Sequence, residues 1–147
     1  MDEIPYPYAQ TRVEYRFEFK SVSAEKVVDK VVLLSASNDN QIYNLALFDI
    51  LPDGNLSDLS ETNNKDLKTV LATVIIIIVN FLGNHPDTFV FFQGSDARRQ
   101  RLYRAVINKE YNQIETNFVV RGGIGQTVEI FRPNRPYEYF IINKKQT

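Results

Sequence analysis

The longest apolar segment of the chain runs from Asn64 to Gly83 and reads NKDLKTVLATVIIIIVNFLG. Its pattern holds for about 18 residues, whereas a buried strand usually runs for about four to eight, so we predict a helix. Seven apolar residues recur at helical spacing and form the predicted core stripe: Leu67, Val70, Leu71, Val74, Ile75, Ile78 and Leu82. Four more predict burial on more than one side of the helix: Ile76, Ile77, Val79 and Phe81.

Signals at both ends mark the limits of this helix. Asn63 or Asn64 is expected to cap its N-terminus, and Asp66 in the first turn suits the positive end of the helix dipole. Gly83 is expected to take a left-handed conformation at the C-terminus. The apolar run from Val70 to Leu82 is shorter than the roughly 20 residues that a bilayer span needs. The segment therefore predicts a buried core helix rather than a membrane span.

Length and composition exclude several classes of protein. With 147 residues the chain is expected to form a single globular domain over residues 1–147. A net charge of -1 gives no broad attraction to nucleic acid or to an anionic membrane. The absence of cysteine excludes disulfides, thiolate metal sites and cysteine nucleophiles. The lack of cysteine also fits the cytoplasm, where we expect the protein to be. The proline-broken, acidic start MDEIPYPYAQ predicts an extended first segment over residues 1–10 and no signal peptide.

Alternating hydrophobicity and turn residues outline the rest of the fold. Strands are predicted over residues 12–20, 27–34, 41–50, 87–93, 113–120, 127–131 and 137–142. A second helix is predicted from Gly94 and Ser95 to about Glu110, and Arg121–Gly125 is predicted to be a flexible hairpin loop. The predicted order is βββαβαβββ. This order indicates an α+β protein with a mostly antiparallel sheet and two helices on one face.

The start of the second predicted helix carries the most chemistry. Gly94 and Ser95 follow a strand and begin a helix, an arrangement whose backbone N–H groups can bind an anion. Arg98, Arg101 and Arg104 would then supply positive charge around a phosphate. A glycine before a serine cap is also a common connection between a strand and a helix. Arginines on the outer face of a helix usually do no more than contact solvent. The structural interpretation is the favoured one.

Arg99 differs from its neighbours because it falls on the apolar stripe of that helix, one turn before Leu102 and Tyr103. An inward-facing guanidinium needs a partner. We expect that partner to be a carboxylate such as Asp49 or Asp66. A structural ion pair is favoured over a role in ligand binding.

Catalytic and metal-binding patterns are not recognisable in the sequence. His85, the only histidine, is expected to be an exposed turn residue, and one histidine without cysteine cannot build a zinc site of the usual kinds. Ser95 stands in the sequence QGSD rather than in a nucleophile elbow. The acidic residues before the first helix lack the spacing of a calcium loop. No metal or cofactor is predicted.

Four stretches resemble motifs of a family of small, uncharacterised bacterial proteins. They are YNLALFD at Tyr43–Asp49, NNKD at Asn63–Asp66, VLATV at Val70–Val74 and GSDARRQRLY at Gly94–Tyr103. The family motifs are N-L-A-F-G-D, N-N-G-D, V-L-A-T-V and G-S-x-x-x-R-x-R-L-Y. The chain departs from them at Phe48 and Lys65, where the family has glycine, and at Asp96-Ala97, where the family has Thr-Pro. The resemblance implies no known activity. It marks seven shared positions: Asp49, Asp66, Gly94, Ser95, Arg99, Arg101 and Tyr103.

Three functional hypotheses follow. The first is a non-enzymatic module that acts through a protein partner or by self-association, since no metal, cofactor or nucleophile signature is present. The second is an anion-binding module for a nucleotide or nucleic-acid phosphate at the Gly94–Ser95 helix N-terminus. The third is an enzyme with an Arg/Asp/Tyr site. Neither nucleic acid nor a membrane is the favoured partner.

Overall fold

The computed structural model describes residues 14–38, 41–58 and 64–146. In chain order, the elements are β1 (Glu14–Val22), β2 (Val27–Ala36), β3 (Ile42–Ile50), β4 (Leu56–Ser57), α1 (Asn64–Asn84), β5 (Phe89–Phe92), α2 (Ala97–Ile114), β6 (Phe118–Ile124), β7 (Thr127–Ile130) and β8 (Tyr139–Lys144). The predicted extended segment at residues 1–10 and the proposed cap Asn63 lie outside the described residues.

The strands form one sheet in the order β1-β2-β3-β5-β8-β6-β7, and β4 pairs with the end of β3. Every neighbouring pair is antiparallel except β3 and β5, which run parallel. These pairings confirm the predicted α+β class with a mostly antiparallel sheet. The predicted order βββαβαβββ is also confirmed, and the two-residue strand β4 is an addition to it.

Both helices pack on the same face of the sheet. Phe81 of α1 meets the ring of Tyr43 on β3, and Tyr103 of α2 meets the ring of Phe92 on β5. Tyr43 is the register partner of Val90, and Phe92 lies two residues further along the same strand. Alternation along a strand therefore places Tyr43 and Phe92 on one face. The opposite face, which we call the open face, carries no helix among the described residues.

Helix α1 is the core helix that the sequence predicts. By length and composition it could also cross a membrane, but in this fold all seven residues of the predicted stripe are buried. The expected burial on several sides is incomplete, because Ile76 is 59% exposed. Gly83 lies inside the helix, which continues to Asn84, so the prediction of a left-handed glycine at its end is wrong.

His85 is not the exposed turn residue that the sequence suggested. It is half-buried, its ring stacks on Phe81 with centroids 4.3 Å apart, and Tyr15 meets it edge-on. Its Nδ1 atom lies 3.0 Å from the Phe81 carbonyl oxygen. The histidine therefore closes the end of α1 by packing against the helix.

Helix α2 begins later and ends later than predicted. Its N-cap is Asp96, whose Oδ1 accepts a hydrogen bond from Arg99 N at 2.7 Å. The helix continues past Glu110 to Ile114 because its apolar stripe does not stop at Ile107. Ile114 is buried in the same core cluster.

The prediction of a flexible loop at Arg121–Gly125 is wrong, since the residues up to Ile124 belong to β6. Gly122 and Gly123 are buried, and each lies against a tyrosine ring. A Cβ on Gly122 would be 2.4 Å from Tyr137, and one on Gly123 would be 2.0 Å from Tyr139. These glycines are present for close packing. Only Gly125, with φ of 59°, takes the turn conformation that the sequence suggested for the whole segment.

Candidate ligand-binding cleft

A gap interrupts the hydrogen-bonded ladder on one edge of β3. The edge facing β2 is paired from Tyr43 to Ile50. On the other edge, β5 covers Ile42–Asn44 and β4 covers Asp49–Ile50. The four residues between them, Leu45–Phe48, have no strand partner on that edge among the described residues.

The backbone of Leu47 opens on this gap. At one end of this edge of β3, the Gln41 carbonyl accepts from Phe89 N at 2.8 Å, and at the other Leu51 N donates to the Asn55 carbonyl at 2.8 Å. Backbone groups alternate sides along a strand, so the odd-numbered residues of β3 direct their N–H and C=O groups to this edge. Leu47 lies midway, which leaves one donor and one acceptor of a central strand available to a ligand.

A cleft of about 320 Å³ lies at the gap. Its apolar part is formed by residues 45–48 of β3 and by Leu71 of α1, and its polar part by Asp58, Gln93, Gly94, Ser95, Arg99 and Tyr103. The cleft lies just beyond the carboxyl end of β5, where the chain runs on through Gln93 to Ser95, and beside the middle of β3, which continues past it to Ile50. Ligands in open sheets with parallel strands commonly bind outside such carboxyl ends.

Arg99 and Ser95 form one wall of the cleft. Arg99 Nη1 donates to Ser95 Oγ at 2.5 Å and to the Asp58 carbonyl oxygen at 3.3 Å. Asp96 fixes the backbone of Arg99 through the N-cap bond. The guanidinium therefore has a set position, and it brings positive charge to the cleft.

Tyr103 supplies a buried hydroxyl to the same cleft. The residue is only 3% exposed, and its ring meets Phe92 edge-on. Burial raises the pKa of Tyr103 far above its usual 10, although the Arg99 charge opposes the change, so the phenol stays protonated. Its hydroxyl has no hydrogen-bond partner in the described part of the chain, and it is not sealed from solvent. It is a donor that a ligand can use.

A buried ion pair lies next to the cleft. Lys30 on β2 is 1% exposed, and its Nζ lies 2.5 Å from Asp49 Oδ1 on β3. Both residues line a small hollow together with Arg99 and Leu67. Lys30 was not among the residues predicted from the sequence to form a site. Its signal was available, because strand alternation in VVDKVVLL places Lys30 on the same face as Val28 and Val32.

Gly94 and Gln100 connect the start of α2 to the sheet. Gly94 N donates to Gln100 Oε1 at 2.6 Å, and Gln100 Nε2 donates to the Tyr137 carbonyl at 2.8 Å. A Cβ on Gly94 would lie 2.2 Å from Gln100 N, so only glycine fits. The Gly94 amide is thus already occupied, and the Asp96 carboxylate caps the helix. Both facts weigh against an anion cradle at this helix N-terminus.

The residues singled out in the sequence do not all lie at one place. Those at the cleft or in the adjacent hollow are Asp49, Gly94, Ser95, Arg99 and Tyr103. Asp49 shares the hollow with Arg99, yet its recorded ion pair is with Lys30. Asp66, the other proposed partner of Arg99, lies in a hollow between α1 and β1.

Arg101 and Arg104 line a different site on the outer side of α2. This open groove of about 430 Å³ is bounded by Arg101, Arg104, Ala105, Asn108, Asn134, Arg135 and Pro136. We call it the arginine groove. Arg135 also binds Glu129 through Nη2 and Oε1 at 2.8 Å. Arg98 is exposed in the first turn of α2. The predicted ligand set is therefore not assembled at one site, because Gly94 and Ser95 lie at the cleft, Arg101 and Arg104 lie at the arginine groove, and Arg98 lines neither.

A family model with the description "family of unknown function (DUF6934)" matches residues 2–145. The chain belongs to this family, in agreement with the resemblance to an uncharacterised family. Neither the curated proteins nor the solved structures include a significant match to the chain. No group of three or more histidine or acidic side chains in residues 14–38, 41–58 and 64–146 is placed to hold a metal ion.

Proposed function

We propose that this protein is a non-enzymatic interaction module that binds a short, extended peptide segment in the gap beside β3. The observation that carries the proposal is the free edge of Leu45–Phe48 in the middle of the sheet. A peptide that adds to an exposed strand edge gains main-chain hydrogen bonds, and side-chain pockets give specificity. Leu47 offers the N–H and C=O groups that such a strand needs.

The dimensions of the site fit a segment of a few residues. Four residues of strand span about 13 Å, which sets the length of ligand backbone that can pair in the gap. The cleft volume of about 320 Å³ lies at the lower end of the range typical for ligand pockets. Leu45, Leu47 and Leu71 provide apolar surface for one or two side chains of the ligand.

The polar wall of the cleft favours an acidic ligand group. The Tyr103 hydroxyl is a protonated donor, and Arg99 places a guanidinium beside Ser95. A carboxylate accepts strong, charge-assisted hydrogen bonds from such donors. The preferred ligand is therefore a peptide with an acidic side chain or a C-terminal carboxylate next to its strand-forming residues.

Selection from a displayed library of random hexapeptides, followed by calorimetric titration of the selected peptides, tests the proposal. We expect enrichment of acidic sequences and a loss of affinity when the pairing peptide amide is N-methylated. Tyr103→Phe should weaken binding about tenfold, because it removes one hydrogen bond to a charged group. Tyr111→Phe on the same helix is the matched control, since Tyr111 packs on Phe131 away from the cleft.

Three outcomes contradict the proposal. The first is that the folded wild-type protein selects no peptide from the library. The second is a selected peptide whose affinity is insensitive both to N-methylation and to Tyr103→Phe. An amide chemical-shift map that leaves Leu47 unchanged on binding would lead to the same conclusion.

The arginine groove supports a second candidate function, the binding of a phosphate-bearing anion. All its polar lining side chains are arginines or asparagines. Arg101 and Arg104 have no acidic partner among the described residues. Several arginines around one concave surface suit phosphate oxygens. This site differs from the Gly94–Ser95 position expected from the sequence, although it uses two of the same arginines.

Titration with ATP, GTP, single-stranded RNA and duplex DNA at low and moderate salt tests this candidate. We expect binding that weakens as salt rises and that is lost in the Arg101→Ala/Arg104→Ala variant. Lys109→Ala, on an exposed position of α2, is the control for a general loss of positive charge. Absence of binding by the folded wild type would contradict the candidate.

A further inference from the structure

The outermost strand, β1, carries a charge pattern that is complementary to a reversed copy of itself. Its open-face residues alternate in sign: Glu14, Arg16, Glu18 and Lys20. Its helix-side residues are half-buried aromatics: Tyr15, Phe17 and Phe19. Strand β1 pairs with β2 on one edge, and its other edge has no strand partner within the described ranges. It is a regular nine-residue edge strand.

The backbone direction shows which residues can pair outward. Just beyond β1, Ser23 N donates to the Lys26 carbonyl at 2.9 Å across the turn to β2. Odd-numbered residues of β1 therefore direct their backbone groups to β2, and even-numbered residues direct theirs to the free edge. The outward backbone groups thus belong to the same four residues whose charged side chains lie on the open face.

We propose that β1 pairs antiparallel with β1 of a second copy of this chain, about a two-fold axis at Phe17. In this register Glu14 faces Lys20 of the second copy, and Arg16 faces Glu18 of the second copy. By symmetry each pair occurs twice, so all four cross-strand pairs join opposite charges. The contact is isologous and closes as a dimer with one continuous sheet.

Neighbouring registers are unfavourable. Alternation of backbone groups permits only registers in which even residues face even residues. The next permitted register in one direction places Arg16 opposite its own copy, and the next in the other direction places Glu18 opposite its own copy. Like charges directly opposite each other destabilise a strand pair. The charge order of β1 therefore selects the register centred on Phe17.

The helix side of the strand supports the same register. Phe17 would face its own copy, and Tyr15 would face Phe19 of the second copy, at positions without hydrogen bonds, where side chains approach most closely. Aromatic pairs across strands are among the stabilising ones. These rings are half-buried in the single chain, so pairing would remove more of their surface from water. About eight main-chain hydrogen bonds would form along the free edge.

Sedimentation equilibrium over a concentration series, with light scattering during size exclusion, tests the dimer. We expect the wild type to be dimeric, and Arg16→Glu or Glu18→Arg to raise the dimer dissociation constant tenfold or more. The exchanged variant Arg16→Glu/Glu18→Arg should restore dimerisation, since it only exchanges the two charges within each pair of residues 16 and 18 and leaves them opposite. Lys109→Glu changes the net charge by the same two units on α2 and should leave the dimer unchanged.

A wild type that stays monomeric at all concentrations overturns the inference. A dimer that is insensitive to both single reversals, or one that the exchanged variant fails to restore, also overturns it. All these side chains are exposed, so their replacement should affect the fold little. Thermal unfolding checks that each variant is folded. The inference does not rest on peptide binding in the cleft, and the two experiments fail independently.

Discussion

The ring of Tyr137 occupies the space that a side chain on Gly122 would need, with the nearest ring carbons 2.4 Å from the ideal Cβ position. Tyr137 is 1% exposed, and its ring packs against the rings of Phe131 and Phe140. On the opposite face of the sheet, Tyr139 covers Gly123 in a similar way. Each of these two adjacent glycines therefore has a tyrosine ring packed on it, and the two rings lie on opposite faces of the sheet.

The two glycines should respond differently to alanine. Gly122→Ala is expected to cost about 3 kcal/mol of unfolding free energy, because Tyr137 has no room to move. Gly123→Ala should cost about 1 kcal/mol, because Tyr139 is half-buried and can swing toward solvent. Urea unfolding of both variants measures the difference. Equal costs would show that the rings do not determine the response.

Replacement of Asp49 by alanine is expected to destabilise the protein by about 3 kcal/mol. The change removes the carboxylate partner of Lys30, whose side chain is buried. The double variant Lys30→Met/Asp49→Leu should be more stable than Asp49→Ala, since no charge remains in the core. Urea unfolding checks both values. A double variant less stable than the single one would contradict this account.

Acid should weaken the contact around Glu129. The hydrogen bond from Tyr137 Oη at 2.9 Å, and after it the Arg135 guanidinium, hold the pKa of Glu129 below its usual 4.5. A lowered pKa in the folded state gives stability that is present above pH 4.5 and is lost as the pH falls through the lowered value. The wild type should therefore exceed Glu129→Gln in urea midpoint at pH 7, and the difference should shrink below pH 4.5. A constant difference would exclude this linkage.

Removal of the N-cap of α2 should cost about 1 kcal/mol. Asp96→Ala removes the acceptor for Arg99 N, whereas Asp96→Ser keeps an acceptor oxygen and should cost much less. Thermal unfolding of the pair of variants measures the effect. The same alanine change should also loosen the wall of the cleft, because Arg99 takes its position from this bond.

Local signals were sufficient for most of the fold. The stripe from Leu67 to Leu82 predicted α1 because a helix buries residues at fixed spacing, whatever lies opposite. The alternation in β1 predicted its two faces for the same reason. In contrast, Gly122 and Gly123 carry the same sequence signal whether a chain turns or packs closely. What distinguishes the two cases is the packing of Tyr137 and Tyr139 against these glycines, which is visible only in the folded structure.

The candidate cleft could be predicted only in part. The sequence marked Gly94, Ser95, Arg99 and Tyr103, because they stand close together at the start of one helix. The gap beside Leu47 depends on where two other strands end, and no pattern within β3 encodes that. The separation of Arg99 from Arg101 and Arg104 was predictable, because Arg99 falls on the apolar stripe of α2. The arginine groove itself was not, because its other wall comes from residues 134–136, far away in the sequence.

The one parallel pair among the described strands, β3 with β5, has a mechanical consequence. The strands before α1 and those after it are joined across the sheet by three register pairs between β3 and β5, from Ile42–Phe89 to Asn44–Phe91. We call this line of pairing the seam. Helix α1 contacts β1 on one side of this seam and β5 and β8 on the other. We expect the seam to be the line along which the sheet first separates under load or during partial unfolding. A ligand strand bound beside Leu47 would lengthen the pairing along this seam and hold the two halves of the sheet together.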